Sequence, residues 1–515
     1  MSEILVNLFT VDVLIGLLVG VIGGMIIGAL PGLSASMGVA LMIPITYGME
    51  PVAALVMLTS IYTAAIYGGS FTAILIHTPG TPSSAATARD GYELTKQGRG
   101  LEAIGWSTTA SVFGGFLSGI ALFVIAPPLA KFALRFSSPE YFFIALFGLT
   151  IIGSLAGDSP LKGVMSGIFG LIIGLIGMEA NTAYARFTFG SIQLQAGIQL
   201  IPAMIGLFSI SQIMVQAERL SSKSGLSKGQ ILDKSIVISG KFLPTIGEFV
   251  RALPNLIRST ILGILIGILP GAGGDIACWV SYNEAKRVSK HKEMFGKGSV
   301  EGIIASEAAN NAVTGGAFIP LLTLGVPGSG TAAILMGGLL IQGLTPGNSL
   351  FTKNAHIIYP IMIGFIVANL LMGVFGILSA KYAARIAEIP MNILSPIIVV
   401  LAIVGSYAIR MNMFDVYVMM VFGFIGYFMR KSGFPTAPIV LALILGPMAE
   451  KGFFSSISMA KGNVWVYFFK RPISMVFLAL TIVSLFAPIL IKRVKKGEVN
   501  KPETVGSEVV FGEED

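Results

Sequence analysis

Gly28-Ala-Leu-Pro-Gly32 decides how this chain is read, together with its echo Gly267-Ile-Leu-Pro-Gly271. Each follows an apolar run and ends in Pro-Gly, the pair least able to continue a helix. The surrounding sequence is so apolar that both breaks are expected at membrane depth. Interrupted backbone survives there only where protein or a water-filled cavity satisfies the freed polar groups. The two Pro-Gly sites therefore read as the floor of a binding site.

Of 515 residues, 54% are hydrophobic and 12% charged, against about 25% charged in soluble domains. Mean hydropathy is +0.83. The expected class is an all-α polytopic membrane protein. The net charge of +8 is assigned to cytoplasmic anchors rather than to nucleic-acid binding. A single cysteine, Cys278, excludes an intrachain disulfide and reads as a small packing residue. The first ten residues carry no Lys or Arg, so the first apolar run is expected to stay as a membrane helix rather than be cleaved as a signal peptide.

That run, residues 11–27, carries Gly16, Gly20, Gly24 and Gly28 on one face, a stripe for close helix packing in lipid. After Pro31-Gly32 comes the polar step Ser34-Ala-Ser36 and an apolar run over 37–46. Pro51 opens a helix expected to reach about Tyr67 and to loosen at Gly68-Gly69-Ser70. His77-Thr-Pro-Gly-Thr-Pro-Ser-Ser84 is a second break. Residues 89–102 are charged and read as a solvated loop. Further spans are expected over 103–126, 141–156, 161–178 and 198–215. The organisation expected is a first transmembrane repeat (1–218), a basic cytoplasmic connector (219–258), a second repeat plus an extra helix (259–491) and a charged cytoplasmic tail (492–515).

The second half repeats the first in order. Pro31 corresponds to Pro270, Gly68-Gly69-Ser70-Phe71 to Gly315-Gly316-Ala317-Phe318, and Pro79-Gly80 to Pro327-Gly328. The offsets are 270−31 = 239, 315−68 = 247 and 327−79 = 248. Further on, Leu149-x3-Gly153-Ser154 faces Leu401-x3-Gly405-Ser406. Paired interrupted segments in two halves point to a secondary-transporter site. Loop charge gives the relation between the halves. Tyr47 to Pro51 has no base, whereas the matching region 283–301 holds Lys286, Arg287, Lys290, Lys292 and Lys297. After the second break the bias reverses: Arg89, Lys96 and Arg99 in the first half, only Lys353 over 342–356 in the second. Equivalent loops on opposite sides mean inverted-topology repeats, although Lys131 and Arg135 against Lys381 and Arg385 do not show the flip.

A broken helix offers N–H groups and a positive dipole end to an anion, and exposed carbonyls to a cation. Around the breaks lie Ser34, Ser36, Thr78, Gly80, Thr81, Ser83 and Ser84 in one half, and Asn310, Asn311, Thr314, Gly328, Ser329 and Thr331 in the other, a lining for an oxygen-rich solute. Asp275 and Glu307 are the ionisable residues expected at membrane depth, as cation ligands or proton carriers, with Gly32, Gly273 and Gly274 beside them. The alternatives are a helix N-cap for Asp275 and an interfacial position for Glu307. His77 reads more simply as a packing residue. His77, His291, His356 and Cys278 show no metal spacing, and no Walker pattern follows the glycines. Energy must come from a gradient or from passive flow.

Gly28-Ala-Leu-Pro-Gly-Leu-Ser34, Tyr67-Gly-Gly-Ser-Phe71, Thr78-Pro-Gly-Thr-Pro82, Gly267-Ile-Leu-Pro-Gly271, Glu307-Ala-Ala-Asn-Asn311 and Gly325-Val-Pro-Gly-Ser329 jointly resemble the large membrane subunit of the tripartite tricarboxylate transporters, from about Leu14 to Pro488. The resemblance implies a multi-pass permease of the bacterial cell inner membrane, working with a small membrane subunit and a periplasmic solute-binding protein. It implies secondary transport of citrate-like or other carboxylates, driven by sodium or protons, with no other cofactor. An elevator mechanism follows by analogy with other carboxylate carriers, and a homodimer is compatible with it. The competing classes are a channel and a stand-alone anion carrier. An intramembrane enzyme finds no Ser/Lys or paired-Asp dyad. Residues 451–471, basic and aromatic, read as an interfacial anchor or a partner contact.

Overall fold

An apolar chain that must satisfy its own backbone in lipid has the helix as its main option. The computed structural model describes residues 8–30, 33–150, 160–179, 182–221, 241–271, 273–380, 391–460 and 462–484. These form helices joined by short turns, plus one small hairpin pairing Gly177–Met178 with Ala185–Arg186. Pro31, Gly32, Gly153, Ser154, Lys381, Arg385, the connector's residues 222–240 and the tail at 492–515 lie outside the described residues.

In chain order the helices are α1 (Val11–Ala29), α2 (Ala35–Met42, continued as a 3-10 turn Ile43–Gly48), α3 (Pro51–Ile76), α4 (Ala85–Lys96), α5 (Gly100–Phe132), α6 (Ser138–Thr150), α7 (Pro160–Gly174), α8 (Leu200–Ile205) and α9 (Ser211–Ser221), the last two joined by a π turn. The second half follows with α10 (Ile246–Ile268), α11 (Gly273–Val288), α12 (Val300–Leu324), α13 (Gly330–Ile341), α14 (Ala355–Ser379), α15 (Met391–Ala408), α16 (Met413–Lys431), α17 (Ala437–Met459) and α18 (Val464–Phe469). Among the described residues, eight helices are long and apolar enough to cross a membrane. Their outer faces are apolar as well: Ile15, Leu18 and Ile22 on α1, and Ile257, Ile261 and Leu265 on α10, are exposed. The chain is a multi-pass membrane protein.

Three expectations change here. The glycine pair does not loosen α3, which runs unbroken from Pro51 to Ile76. Gly68 and Gly69 are there for space: a Cβ on Gly68 would overlap the Met25 carbonyl, and one on Gly69 would overlap Thr81. The charged stretch 89–102 is not a solvated loop either. It is α4 and the start of α5, with one face buried. On that face Asp90, fully buried, accepts the N–H groups of Gly296 (2.7 Å), Gly298 (3.0 Å) and Ser299 (2.8 Å) and the Tyr282 hydroxyl (2.8 Å). A carboxylate with four donors is stable without water. The helix α10 also begins at Ile246, so residues 246–258, read as connector, are helical.

The helices form two groups. In the first, α3 and α12 are wholly enclosed by α1, α4, α5, α10, α11 and α14. The second comprises α6 to α9 and α15 to α18, and it meets the first chiefly along α2 with its 3-10 turn and α13. Within the first group one set of contacts occurs twice. A Cβ on Gly24 or Gly28 would strike the carbonyls of Ile61 or Ala65; on Gly263 or Gly267, those of Ala309 or Val313. Gly80 meets the Gly28 carbonyl, and Gly328 that of Gly267. The offsets are constant: 263−24 = 239 on the first helix and 309−61 = 248 on the second. Gly68 thus matches Gly316, one residue from the sequence alignment. In lipid, where apolar contact between helices has little solvent driving force, such backbone approach is what holds helices together.

The connectors pair crosswise. Gln342 donates to the Thr46 carbonyl at 2.8 Å, joining the connectors poor in bases. Gln97 donates to the Lys297 carbonyl at 3.0 Å, and Asp90 holds residues 296–299, joining the basic ones.

Candidate functional site

The helix α1 stops at Ala29 and α2 starts after Ser34, whose hydroxyl caps the Met37 N–H at 3.2 Å. The helix α10 stops at Ile268, and α11 begins at Gly273, whose φ of +60° favours glycine. The helix α3 ends at His77 in the left-handed region, and α12 ends at Gly325 in the same conformation. Ser329 then caps α13, accepting from the Ala332 N–H at 3.1 Å. Four interruptions thus surround the middles of α3 and α12.

Between them runs a polar seam. At one end the Ser36 and Thr331 hydroxyls are 2.8 Å apart, and the Tyr62 hydroxyl meets Ser329 at 2.9 Å. At the other, Ser83 donates to Asp275 Oδ1 at 2.9 Å. The missing side chains of the α11 glycines join the ends. A Cβ on Gly273 would lie 3.7 Å from Ser329 Cβ, and one on Gly274 would lie 2.8 Å from Asn310 Oδ1 and 3.1 Å from Ser83 Oγ. Asp275 keeps accessible surface beside its bond to Ser83. It is the third residue of α11 and not its cap. Asn310 is fully buried, and neither its amide oxygen nor its nitrogen has a partner. A buried polar group left unpaired costs about 1–3 kcal/mol, so this amide is the most conspicuous open valence in the seam.

The remaining expected residues divide. Asn311 donates toward the Thr63 hydroxyl at 3.3 Å, and Thr63 donates to Asn369 Oδ1 at 2.7 Å. Thr63 and Asn311 are themselves related by 311−63 = 248. Gly80 and Gly328 pack against carbonyls, and the Gly271 N–H bonds to the Gly328 carbonyl at 3.0 Å. Thr81 pairs with Ser84 at 3.1 Å. Thr78 and Thr314 donate to the Ile76 and Asn311 carbonyls and so serve their own turns. The His77 ring lies 4.8 Å from that of Tyr92. Gly32 is outside the described residues.

Glu307 is not interfacial. It has no exposed surface, and its carboxylate accepts from Thr87 in α4 and from Ser111 in α5 (2.9 Å), with Ser70 and Ser107 close by. It forms a second polar cluster, made of hydroxyls alone. Among the described residues no group of three His, Cys, Asp or Glu is placed to hold a metal. Sequence reading missed Tyr62, Thr63, Thr87, Ser111 and Asn369. For the first two a signal existed: an offset of 248 sets Tyr62-Thr63 opposite Asn310-Asn311.

Residues 14–441 match the Tripartite tricarboxylate transporter TctA family. An "Uncharacterized 52.8 kDa protein in TAR-I ttuC' 3'region" of Agrobacterium vitis is 37% identical over 489 residues, 94% of each chain. An "Uncharacterized protein in TAR-II ttuC' 3'region" of the same organism is 35% identical over 228 residues, 44% of this chain and 94% of that one. No solved structure matches. The match spans both halves of the seam, and the chain belongs to the tripartite tricarboxylate transporter TctA family, as a membrane component of a transporter.

Proposed function

We propose that this chain is the large permease subunit of a binding-protein-dependent secondary transporter, importing citrate-like tricarboxylates or related carboxylates across the bacterial inner membrane on a sodium or proton gradient. The observation that carries the reading is the polar seam between four helix interruptions, enclosed by otherwise apolar helices. Hydroxyls, an amide and helix N-termini suit carboxylate oxygens, with Ser36, Ser329, Thr331 and Tyr62 as first contacts. One acid at each of two places, Asp275 at the end of the seam and the buried Glu307, suits a coupling cation or proton. A small membrane subunit and a periplasmic solute-binding protein complete the assembly by family membership.

Two inverted repeats account for the duplicated contacts at constant offsets and for the crosswise pairing of connectors. Parallel repeats would put the Asp90 helix and the 296–299 turn at opposite ends of the bundle. The two helix groups fit an elevator movement, with α2 and α13 as the sliding edge.

The test is uptake by the reconstituted three-part assembly, with and without sodium, across a panel of carboxylates. Loss of uptake on omitting the binding protein is expected; unchanged uptake sinks the tripartite reading. Exchange of labelled against unlabelled solute is expected of a carrier, whereas uncoupled, unsaturable flux would make it a channel.

A further inference from the structure

We infer that the acidic end of the seam is a binding site for a sodium-sized monovalent cation, held by the oxygens of Asp275, Ser83 and Asn310. The inference rests on the transporter reading and assigns the coupling ion to one place within it.

Three observations converge. The Ser83 hydroxyl gives its proton to Asp275 Oδ1, which leaves its lone pairs facing elsewhere. The Asn310 amide oxygen accepts from nothing, although the residue has no exposed surface. Both oxygens border the bare Gly274 backbone at the start of α11, Ser83 Oγ at 3.1 Å and Asn310 Oδ1 at 2.8 Å from where its Cβ would stand. Asp275 is the next residue along. One full negative charge with two neutral oxygens matches one positive charge. A proton would need a single acceptor and would leave Asn310 unanswered. A divalent ion would lack a second carboxylate, because Glu307 is committed to Thr87 and Ser111.

The other end of the seam is the internal control. The offsets that relate the duplicated contacts set Ser36 in the place of Asp275, Thr331 in that of Ser83 and Tyr62 in that of Asn310. There every one of these hydroxyls is paired and no acid is present. That end has nothing to offer a cation.

Sodium binding is read on the purified full-length chain without solute or partner subunits, by radiolabelled sodium and by thermal stabilisation against choline at equal ionic strength. Saturable sodium binding is expected in the parent protein. Asp275→Asn and Asn310→Ala should each weaken it by about tenfold or more, the scale of a lost charged or buried polar contact. Gly274→Ala should do the same by pushing a methyl against Asn310 Oδ1 and Ser83, and Ser83→Ala should weaken it severalfold. Chromatographic monodispersity and helical content separate these outcomes from misfolding, and the mild Ser83→Ala variant keeps the test open if Asp275→Asn does not fold. Parental sodium affinity in folded Asp275→Asn and Asn310→Ala overturns the assignment, as does an absence of sodium binding in the parent. Loss in Glu307→Gln alone would move the cation to the hydroxyl cluster. Sodium binding without carboxylate uptake by the full assembly would defeat the transporter reading and leave this site standing.

Discussion

At one end of the seam Ser36 of α2 meets Thr331 of α13; at the other, Ser83 before α4 meets Asp275 of α11. Both pairs link a helix interruption of one half to an interruption of the other, and 275−36 = 239 and 331−83 = 248 are the offsets that relate the glycine contacts. The two ends share a scaffold and differ in charge and in saturation. The neutral end closes its own hydrogen bonds, while the acidic end leaves the Asn310 amide open. On the proposed reading, one set of contacts used twice would serve two unlike ligands through a change of three side chains.

The comparison can be broken at its most charged point. Asp275→Asn is expected to lower sodium-stimulated uptake by about a hundredfold, corresponding to about 3 kcal/mol for a lost charged contact, measured as initial rate against sodium concentration. Ser36→Asp puts a second carboxylate at the neutral end. It should raise the solute KM by about tenfold through like-charge repulsion at short range, with sodium affinity unchanged. If the sodium dependence shifts instead, the ends are not separate. The scaffold's equivalence is tested by Gly28→Ala and Gly267→Ala, which push a methyl against the Ala65 and Val313 carbonyls. Each should destabilise by about 1–3 kcal/mol, read as matching falls in thermal midpoint; a large effect in one alone would break the match. The smallest effect expected is Tyr282→Phe, which removes one of four donors to Asp90 and should cost about 1 kcal/mol.

Much of this frame was legible. Pro-Gly after an apolar run forces a helix to stop, so the break after Ala29 and its partner after Ile268 stood in the letters. The order of the paired breaks followed from the same residues. What the sequence could not give was the role of glycine inside α3. Gly68-Gly69 reads as a loosened helix by propensity alone, because the Met25 carbonyl that needs the space belongs to another helix. The same blindness hid Asp90. A charge among charges looks solvated until the 296–299 turn supplies its donors from 206 to 209 residues away. An interfacial position stayed open as the alternative for Glu307 for the converse reason: the four hydroxyls that make burial tolerable lie on α3, α4 and α5. Ser83, Asn310 and Asp275 were each recognised as candidates, but the bare Gly274 backbone that Ser83 and Asn310 both border emerged only from the fold.

The Asp90 contact also has a consequence in time. Its donors, Gly296, Gly298 and Ser299, are made more than two hundred residues after Asp90 itself. At a synthesis rate of about 5–20 residues per second, roughly 10–40 s separate the acid from its partners. Throughout that interval α4 carries a carboxylate that cannot be buried with its final hydrogen bonds. Burial of the helix in its final place must wait for the second half of the chain. The two halves, alike in plan, are therefore unequal in assembly: the first is held open until the second arrives to close it.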